Sequence, residues 1–210
     1  MEHKTLESGT TTIGIVCKNG IVLAGDKRAN AGYIAHKRVT KIVKIDDLMA
    51  ITTAGSVSDI QLVCRVVKAE LKLKEIQTNR RNTVKEVANL LGGLLYNNLR
   101  KPSMIPGVSS HLLGGKDPSG YHLYHCDVDG SVLEYEDYCA DGSGMVFALG
   151  VLETQFKKDM SIEEGKKLAL KAINTAIHRD PNSGNGIDIV TITEQGAVFE
   201  TTKVIEDNLE

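Results

Sequence analysis

The chain has 210 residues, 41% hydrophobic and 25% charged, with 20 Gly and 4 Pro, which fits one globular domain and excludes a collagen, long disorder or a disulfide scaffold. Its 25 Lys and Arg against 27 Asp and Glu leave a formal charge of −2, so no cationic excess exists to displace counterions from nucleic acid. Six Tyr, three Phe and no Trp supply a poor base-stacking surface, and no apolar run approaches the ~18 residues that would cross a membrane.

Met1 to Gly9 carries charge without an apolar centre, unlike a secretory signal. Thr11 to Cys17 is an alternating, β-branched strand; Asn19-Gly20 is a tight turn, and Ile21 to Asp26 returns. Lys41 to Ile45 and Leu48 to Ala54 form a second hairpin around Asp46-Asp47. A helix then starts at Ser56 or Ser58, with Ile60, Val63, Val67 and Leu71 on one face. Thr83 caps a second helix carrying Val84, Val87, Leu91, Leu94 and Leu95; its Gly92-Gly93 pair implies a close helix crossing or simple tolerance.

Strands resume at Val108 to Gly115, Tyr121 to Asp127 and Val132 to Tyr138. A helix is predicted over Met145 to Phe156, and Ser161-x-x-Glu164 is a capping box opening another with the stripe Leu168, Ala169, Ala172, Ile173 and Ala176. Ile187 to Thr193 and Ala197 to Thr202 are closing strands, followed by a polar tail, Glu206 to Glu210. Strands, two helices, strands, two helices, strands is an α+β order: two antiparallel sheets, each covered by a helix pair.

The four cysteines, Cys17, Cys64, Cys126 and Cys139, are widely separated and form no Cys-x-x-Cys pair, as expected of plain thiols in a reducing cytoplasm. No serine-hydrolase elbow, zinc-protease helix or phosphate loop is present, and no cofactor is implied. His122-x-x-His125 lies in a predicted strand, where the two side chains face opposite ways; it reads as surface.

The chemistry-bearing candidate is Thr10. In Ser8-Gly9-Thr10-Thr11-Thr12 it reads by itself as a polar tail entering an edge strand. A cut after Gly9 would give Thr10 a hydroxyl nucleophile and a free amine on one residue. An α-amine with a pKa of ~7.7–8.0 is partly neutral at neutral pH and can accept the hydroxyl proton. Gly9 has no side chain to hinder attack on its carbonyl, so Thr10 could cut its own precursor by an N→O acyl shift and ester hydrolysis.

Asp26 alone reads as a solvated strand-end carboxylate in Asp26-Lys27-Arg28. Lys41 shares a predicted face with Val43 and Ile45, so it either snorkels at the sheet margin or is paired inside, charged, beside Asp26. Gly55 is a helix-entry glycine or an oxyanion donor. Gly142-Ser143-Gly144 is a turn or a serine placed near the nucleophile's amine, and Asp180 to Gly184 reads first as a helix stop.

Together the segments Gly9 to Ile15, Ala24 to Ala29, Thr53-Ala54-Gly55, Gly142-Ser143-Gly144, Gly150 to Glu153 and Arg179 to Asp188 resemble the β subunit of the archaeal-type 20S proteasome, an N-terminal-nucleophile hydrolase. The resemblance implies a four-layer α-β-β-α sandwich, a threonine endopeptidase acting on unfolded polypeptides, and residues 1–9 as a propeptide removed from a single catalytic domain, 10–210. It implies Thr10 as nucleophile, Asp26 and Lys41 as its supporting pair, Gly55 at the oxyanion, and Ser143, Asp180 and Ser183 around the amine. Lys41 is preferred to Lys37 and Lys44 because it stands just before Ile42-Val43-Lys44-Ile45-Asp46.

For substrate it implies extended binding near Asn30 and near Gly55 to Val57, with a pocket of Ala29, Val39, Thr53 and Val57. The implied partners are a second seven-membered β ring, capping α rings and, through these, a regulatory ATPase, with no nucleic acid or membrane. A six-membered HslV-type peptidase and a non-catalytic ring subunit remain alternatives.

Overall fold

The computed structural model describes residues 7–200 and 203–204. Residues 1–6 of the expected propeptide, Thr202 at the end of the last predicted strand, and the tail Glu206 to Glu210 lie outside them.

The chain opens with a two-residue strand, β1 (Glu7–Ser8), then the predicted hairpin, β2 (Thr12–Cys17) and β3 (Gly20–Asp26). Every residue of β3 is buried, as its unbroken apolar run requires of a strand covered on both faces. Two short strands that periodicity does not reveal follow, β4 (Ala29–Asn30) and β5 (Ile34–His36). The second predicted hairpin is β6 (Ile42–Lys44) and β7 (Met49–Thr52); beyond Thr53 the chain pairs again as β8 (Ala54–Ser56).

Next come the helices α1 (Val57–Thr78) and α2 (Val84–Arg100). Ser56 occupies the N-cap of α1 but makes no capping bond, its hydroxyl lying 2.9 Å from that of Ser58. Thr83 caps α2 in a full capping box with Glu86, a device the sequence reading assigned only to the last helix. Strands β9 (Ser109–Asp117), β10 (Gly120–Cys126), β11 (Val132–Tyr135) and β12 (Tyr138–Asp141) lead to α3 (Met145–Gln155) and α4 (Ile162–Arg179). The Ser161/Glu164 capping box opens α4, and its predicted stripe from Leu168 to Ala176 is buried. β13 (Gly186–Thr193), β14 (Gly196–Phe199) and β15 (Lys203–Val204) complete the described chain.

Two antiparallel sheets form. One runs β11-β10-β9-β8-β1-β4-β5, with β7 joined to β9 and β6 to β7; the other runs β12-β2-β3-β13-β14, with β15 on β13. Ile21, Leu23, Leu112, Leu123, Val190 and Ile192 fill the space between the sheets. Val22, Ala24, Leu168 and Ile173 seal one sheet to α3 and α4, and Met49, Val67, Leu91 and Leu113 seal the other to α1 and α2. The layers are therefore α-β-β-α, as expected.

Gly92 is required at a close approach, but to the β10–β11 turn rather than to another helix. A Cβ there would lie 2.5 Å from Val132 Cγ2 and 2.9 Å from the Gly130 carbonyl oxygen, whereas one on Gly93 meets nothing within 4 Å. The four cysteines are buried thiols, and burial pushes Cys17 and Cys126 up to about 12. Among the described residues no helix is long and apolar enough to cross a membrane.

Candidate active site

At the mouth between the sheets, the connection from β1 into β2 passes through Gly9, Thr10 and Thr11. Thr10 and Thr11 are fully buried. Gly9 is fixed by packing: an added Cβ would lie 2.2 Å from Asn182 Cβ and 2.9 Å from Asn30 Nδ2.

Asp26, at the end of β3, is not the solvated carboxylate that its flanking charges suggest. It has no exposed surface. Its Oδ1 accepts Thr11 N–H at 2.9 Å and Lys41 Nζ at 2.7 Å; its Oδ2 accepts the amides of Arg28 at 3.0 Å and Gly184 at 2.9 Å. Two of these four donors, the Thr11 and Gly184 amides, are backbone groups brought by tertiary structure, which no local pattern announces.

Lys41 is the inward, paired alternative. It sits one residue before β6, so the strand's alternation does not bind it: Val43 and Ile45 face α1 and α2, while Lys41 turns to the mouth. It is 1% exposed, and its Nζ bonds both Asp26 and the Gly9 carbonyl oxygen, the latter at 2.6 Å. Burial lowers the pKa of its ammonium, against the opposing pull of Asp26. Its Nζ donates to both acceptors, which accords with the paired alternative of the sequence reading.

Thr10 N–H donates to Ser143 Oγ at 3.2 Å, and Ser143 O–H donates to Asp180 Oδ2 at 2.7 Å. Ser183 O–H donates to the same oxygen at 2.7 Å, leaving Ser183 Oγ to accept from Thr11 Oγ1, also at 2.7 Å. Asp180 is the C-cap of α4, where the helix dipole disfavours an anion; the two hydroxyls and the Asn182 amide at 3.0 Å offset this. Thr11 has no counterpart in the sequence reading, although its place in the Thr triplet was visible.

Gly55 has φ +113°, and a Cβ there would lie 2.4 Å from the Val108 carbonyl oxygen, so glycine is required. It stands opposite Ser8 in the β1–β8 ladder, while Glu7 pairs with Ser56 on β8 and Asn30 on β4. The segment before Thr10 thus lies extended between two strand ends. A cleft of about 1090 Å³ continues from there, lined by Asn30, Gly55, Ser56, Ser143 and the 101–108 loop. Ala29, Val39, Thr53 and Val57 are not among its lining residues; the Thr53 hydroxyl donates to the Lys41 carbonyl at 3.3 Å.

The wall opposite is stapled by residues the sequence reading also missed. Arg28 donates to Asn185 Oδ1 and to the Pro181 carbonyl, each at 2.9 Å, and Lys27 makes a buried ion pair with Asp188 at 2.7 Å. The Asp180 to Gly184 segment is therefore part of the site rather than a plain helix stop. His122 and His125 are both half-buried: His122 bonds Glu134 at 2.7 Å, and His125 stands 3.9 Å from Asp141.

Chemically, the arrangement presents a threonine beside the Gly9 carbonyl, with the buried Lys41 nitrogen on that carbonyl and a hydroxyl–carboxylate relay on the threonine's nitrogen. Residues 6–192 match the family model described as Proteasome subunit. The chain is 45% identical to "Proteasome subunit beta" of Ferroglobus placidus, covering 100% of this chain and 99% of the relative. It is 48% identical to "Proteasome subunit beta 2" of Pyrococcus abyssi, over 90% and 88% of the two chains. With that of Archaeoglobus fulgidus it shares 44% over 92% and 90%. From fold, geometry and these likenesses alike, the chain belongs to the proteasome subunit family.

Proposed function

We propose that this chain is a catalytic β subunit of a proteasome core particle, a threonine endopeptidase that matures by cutting its own Gly9–Thr10 bond. The observation that carries this reading is Lys41 Nζ, held between Asp26 Oδ1 and the carbonyl oxygen of that bond.

In the uncut chain Thr10 Oγ1 attacks the Gly9 carbonyl carbon and its proton passes to the Lys41 amine. The bond to Thr10 N breaks as that nitrogen takes a proton, leaving Gly9 esterified to Thr10 Oγ1. Water hydrolyses the ester, releasing residues 1–9 with a Gly9 carboxylate and leaving Thr10 as the chain end of the domain 10–210. The same oxygen then attacks substrate peptides, forming an acyl ester that water cleaves in turn. Ser143, Asp180 and Ser183 orient the new amine, and the Gly55 N–H faces the oxyanion.

Substrate takes the place of Glu7–Ser8 between β4 and β8, where backbone pairing tolerates many sequences. Ala29, Val39, Thr53 and Val57, with Asn30, border the side chain next to the cut. The subunit acts in the cytoplasm within seven-membered rings, paired face to face and capped by α rings that dock a regulatory ATPase, on unfolded polypeptides.

The test is Thr10→Ala in the assembled particle. Intact mass should show residues 1–9 retained, with peptide hydrolysis abolished while the wild type loses nine residues. Normal hydrolysis by Thr10→Ala would refute the proposal, and six-fold rings in electron micrographs would refute the stated architecture.

A further inference from the structure

Behind the Gly142-Ser143-Gly144 turn lies a polar cluster that the proposed chemistry does not use. Ser110 on β9, His125 on β10 and Asp141 at the end of β12 meet in the layer otherwise filled by Leu112, Leu123 and Cys139. Ser110 and Asp141 are each 7% exposed. A carboxylate so enclosed in an apolar layer is costly unless its oxygens are bonded.

They are bonded in a way that reaches the nucleophile. Asp141 Oδ2 accepts Ser110 O–H at 2.6 Å, and Oδ1 accepts the Gly142 amide at 2.7 Å. His125 Nε2 stands 3.9 Å from the same Oδ1, beyond hydrogen-bonding reach. Gly142, at φ +93°, packs so tightly on Thr10 that a Cβ would lie 2.2 Å from the Thr10 carbonyl oxygen. The turn it begins returns Gly144 N–H to that oxygen at 3.3 Å and delivers Ser143 to Thr10 N.

We infer that Asp141, braced by Ser110, is a positioning residue for the threonine chemistry: it clamps the first amide of the turn and so sets where Ser143 meets the Thr10 nitrogen. The inference rests on the function proposed above. Losing the carboxylate frees a partly buried N–H and removes the Asp141–Ser110 bond that joins this turn to the opposite sheet. Misplacement of a catalytic group by about 1 Å costs up to about a hundredfold in rate. The effect falls on turnover before substrate binding, because β4 and β8 hold the substrate and Asp141 reaches β8 only through Ser110, which pairs with Ala54.

The experiment compares Asp141→Ala, Asp141→Asn and Ser110→Ala in assembled particles, with kcat expressed per processed Thr10 end counted by mass. Asp141→Ala should lower kcat about ten- to a hundredfold with KM within about twofold of wild type. Asparagine keeps an oxygen for the Gly142 amide and should restore most of the rate. Ser110→Ala should give a smaller loss that does not add to that of Asp141→Ala.

Unchanged kcat in Asp141→Ala would overturn the inference, as would a KM rise alone, or an asparagine variant as slow as the alanine. If the alanine variant does not assemble, Asp141→Asn with Ser110→Ala decides: wild-type kcat in Ser110→Ala overturns the inference, and a kcat loss there with near-wild-type turnover in Asp141→Asn sustains it. An active Thr10→Ala would instead refute the underlying function, so the two failures are distinguishable.

Discussion

Lys41 Nζ lies 2.6 Å from the carbonyl oxygen of Gly9, thirty-two positions earlier in the chain, while a second of its bonds holds Asp26. A buried ion pair of this kind is weak evidence for stability, since removing two charges from water offsets most of their attraction. Its value is placement: in the function proposed above it would set the Lys41 nitrogen on the oxygen where negative charge would develop if that carbonyl were attacked.

Lys41→Arg separates two roles for this group. Arginine keeps the charge and the reach toward Asp26 but does not give up its proton in a protein. If Lys41 accepts the Thr10 proton, processing and turnover should fall by roughly a thousandfold or more. Retention of more than a tenth of wild-type turnover, measured on peptide substrates, would show that a fixed positive charge suffices.

Gly9→Val probes the fit of the segment before the cut. The new side chain would collide with Asn182, whose Cβ lies 2.2 Å from the required Cβ position, and would displace the carbonyl from Lys41. Self-cleavage should slow by at least about tenfold. The fraction of chains retaining residues 1–9, followed by mass after synthesis, measures it.

Gly92→Ala and Gly93→Ala should differ in sign. The first drives a methyl into Val132 and the Gly130 carbonyl and should destabilise by about 1–3 kcal/mol; the second adds helix propensity worth up to about 1 kcal/mol in open space. Denaturant unfolding of the isolated subunit reads both.

His111 gives a pH dependence of known sign. It is fully buried, its Nδ1 2.9 Å from the Thr52 carbonyl oxygen, and burial lowers its pKa below the ordinary 6.5. Protonation therefore favours the unfolded chain, where the ring titrates normally. The stability that the neutral ring contributes is complete above pH 6.5 and is lost as pH falls from there through the folded-state value. His111→Asn keeps a donor without a titration, so its unfolding free energy should decline less between pH 7 and pH 5 than that of the wild type.

Much of this was legible in the residues. The doubly covered β3 reads as a continuous apolar run and α4 declares itself by its capping box and alanine-rich stripe, whereas Gly9-Thr10 alone reads as a polar tail and carries the proposed chemistry only together with the other segments. What stayed hidden depends on backbone partners distant in sequence. β1 and β4 are two residues long and held by pairing rather than by side-chain alternation, so no period marks them. Lys41 turns inward because it stands outside its strand, and Asp26 looks solvated until Gly184, 158 residues later, supplies an amide. Asp141 resembles any strand-end acid until the fold sets Ser110 against it.

The strand Glu7–Ser8 lies between β4 and β8, where the proposed function puts a foreign chain. On the function proposed above, the untrimmed subunit would be stoppered by its own leading end, and a newly made copy could not damage its neighbours. In that proposal one cut would arm the nucleophile and clear the groove together, so no copy would hold a live oxygen behind a blocked entrance, or an open entrance before a dormant one.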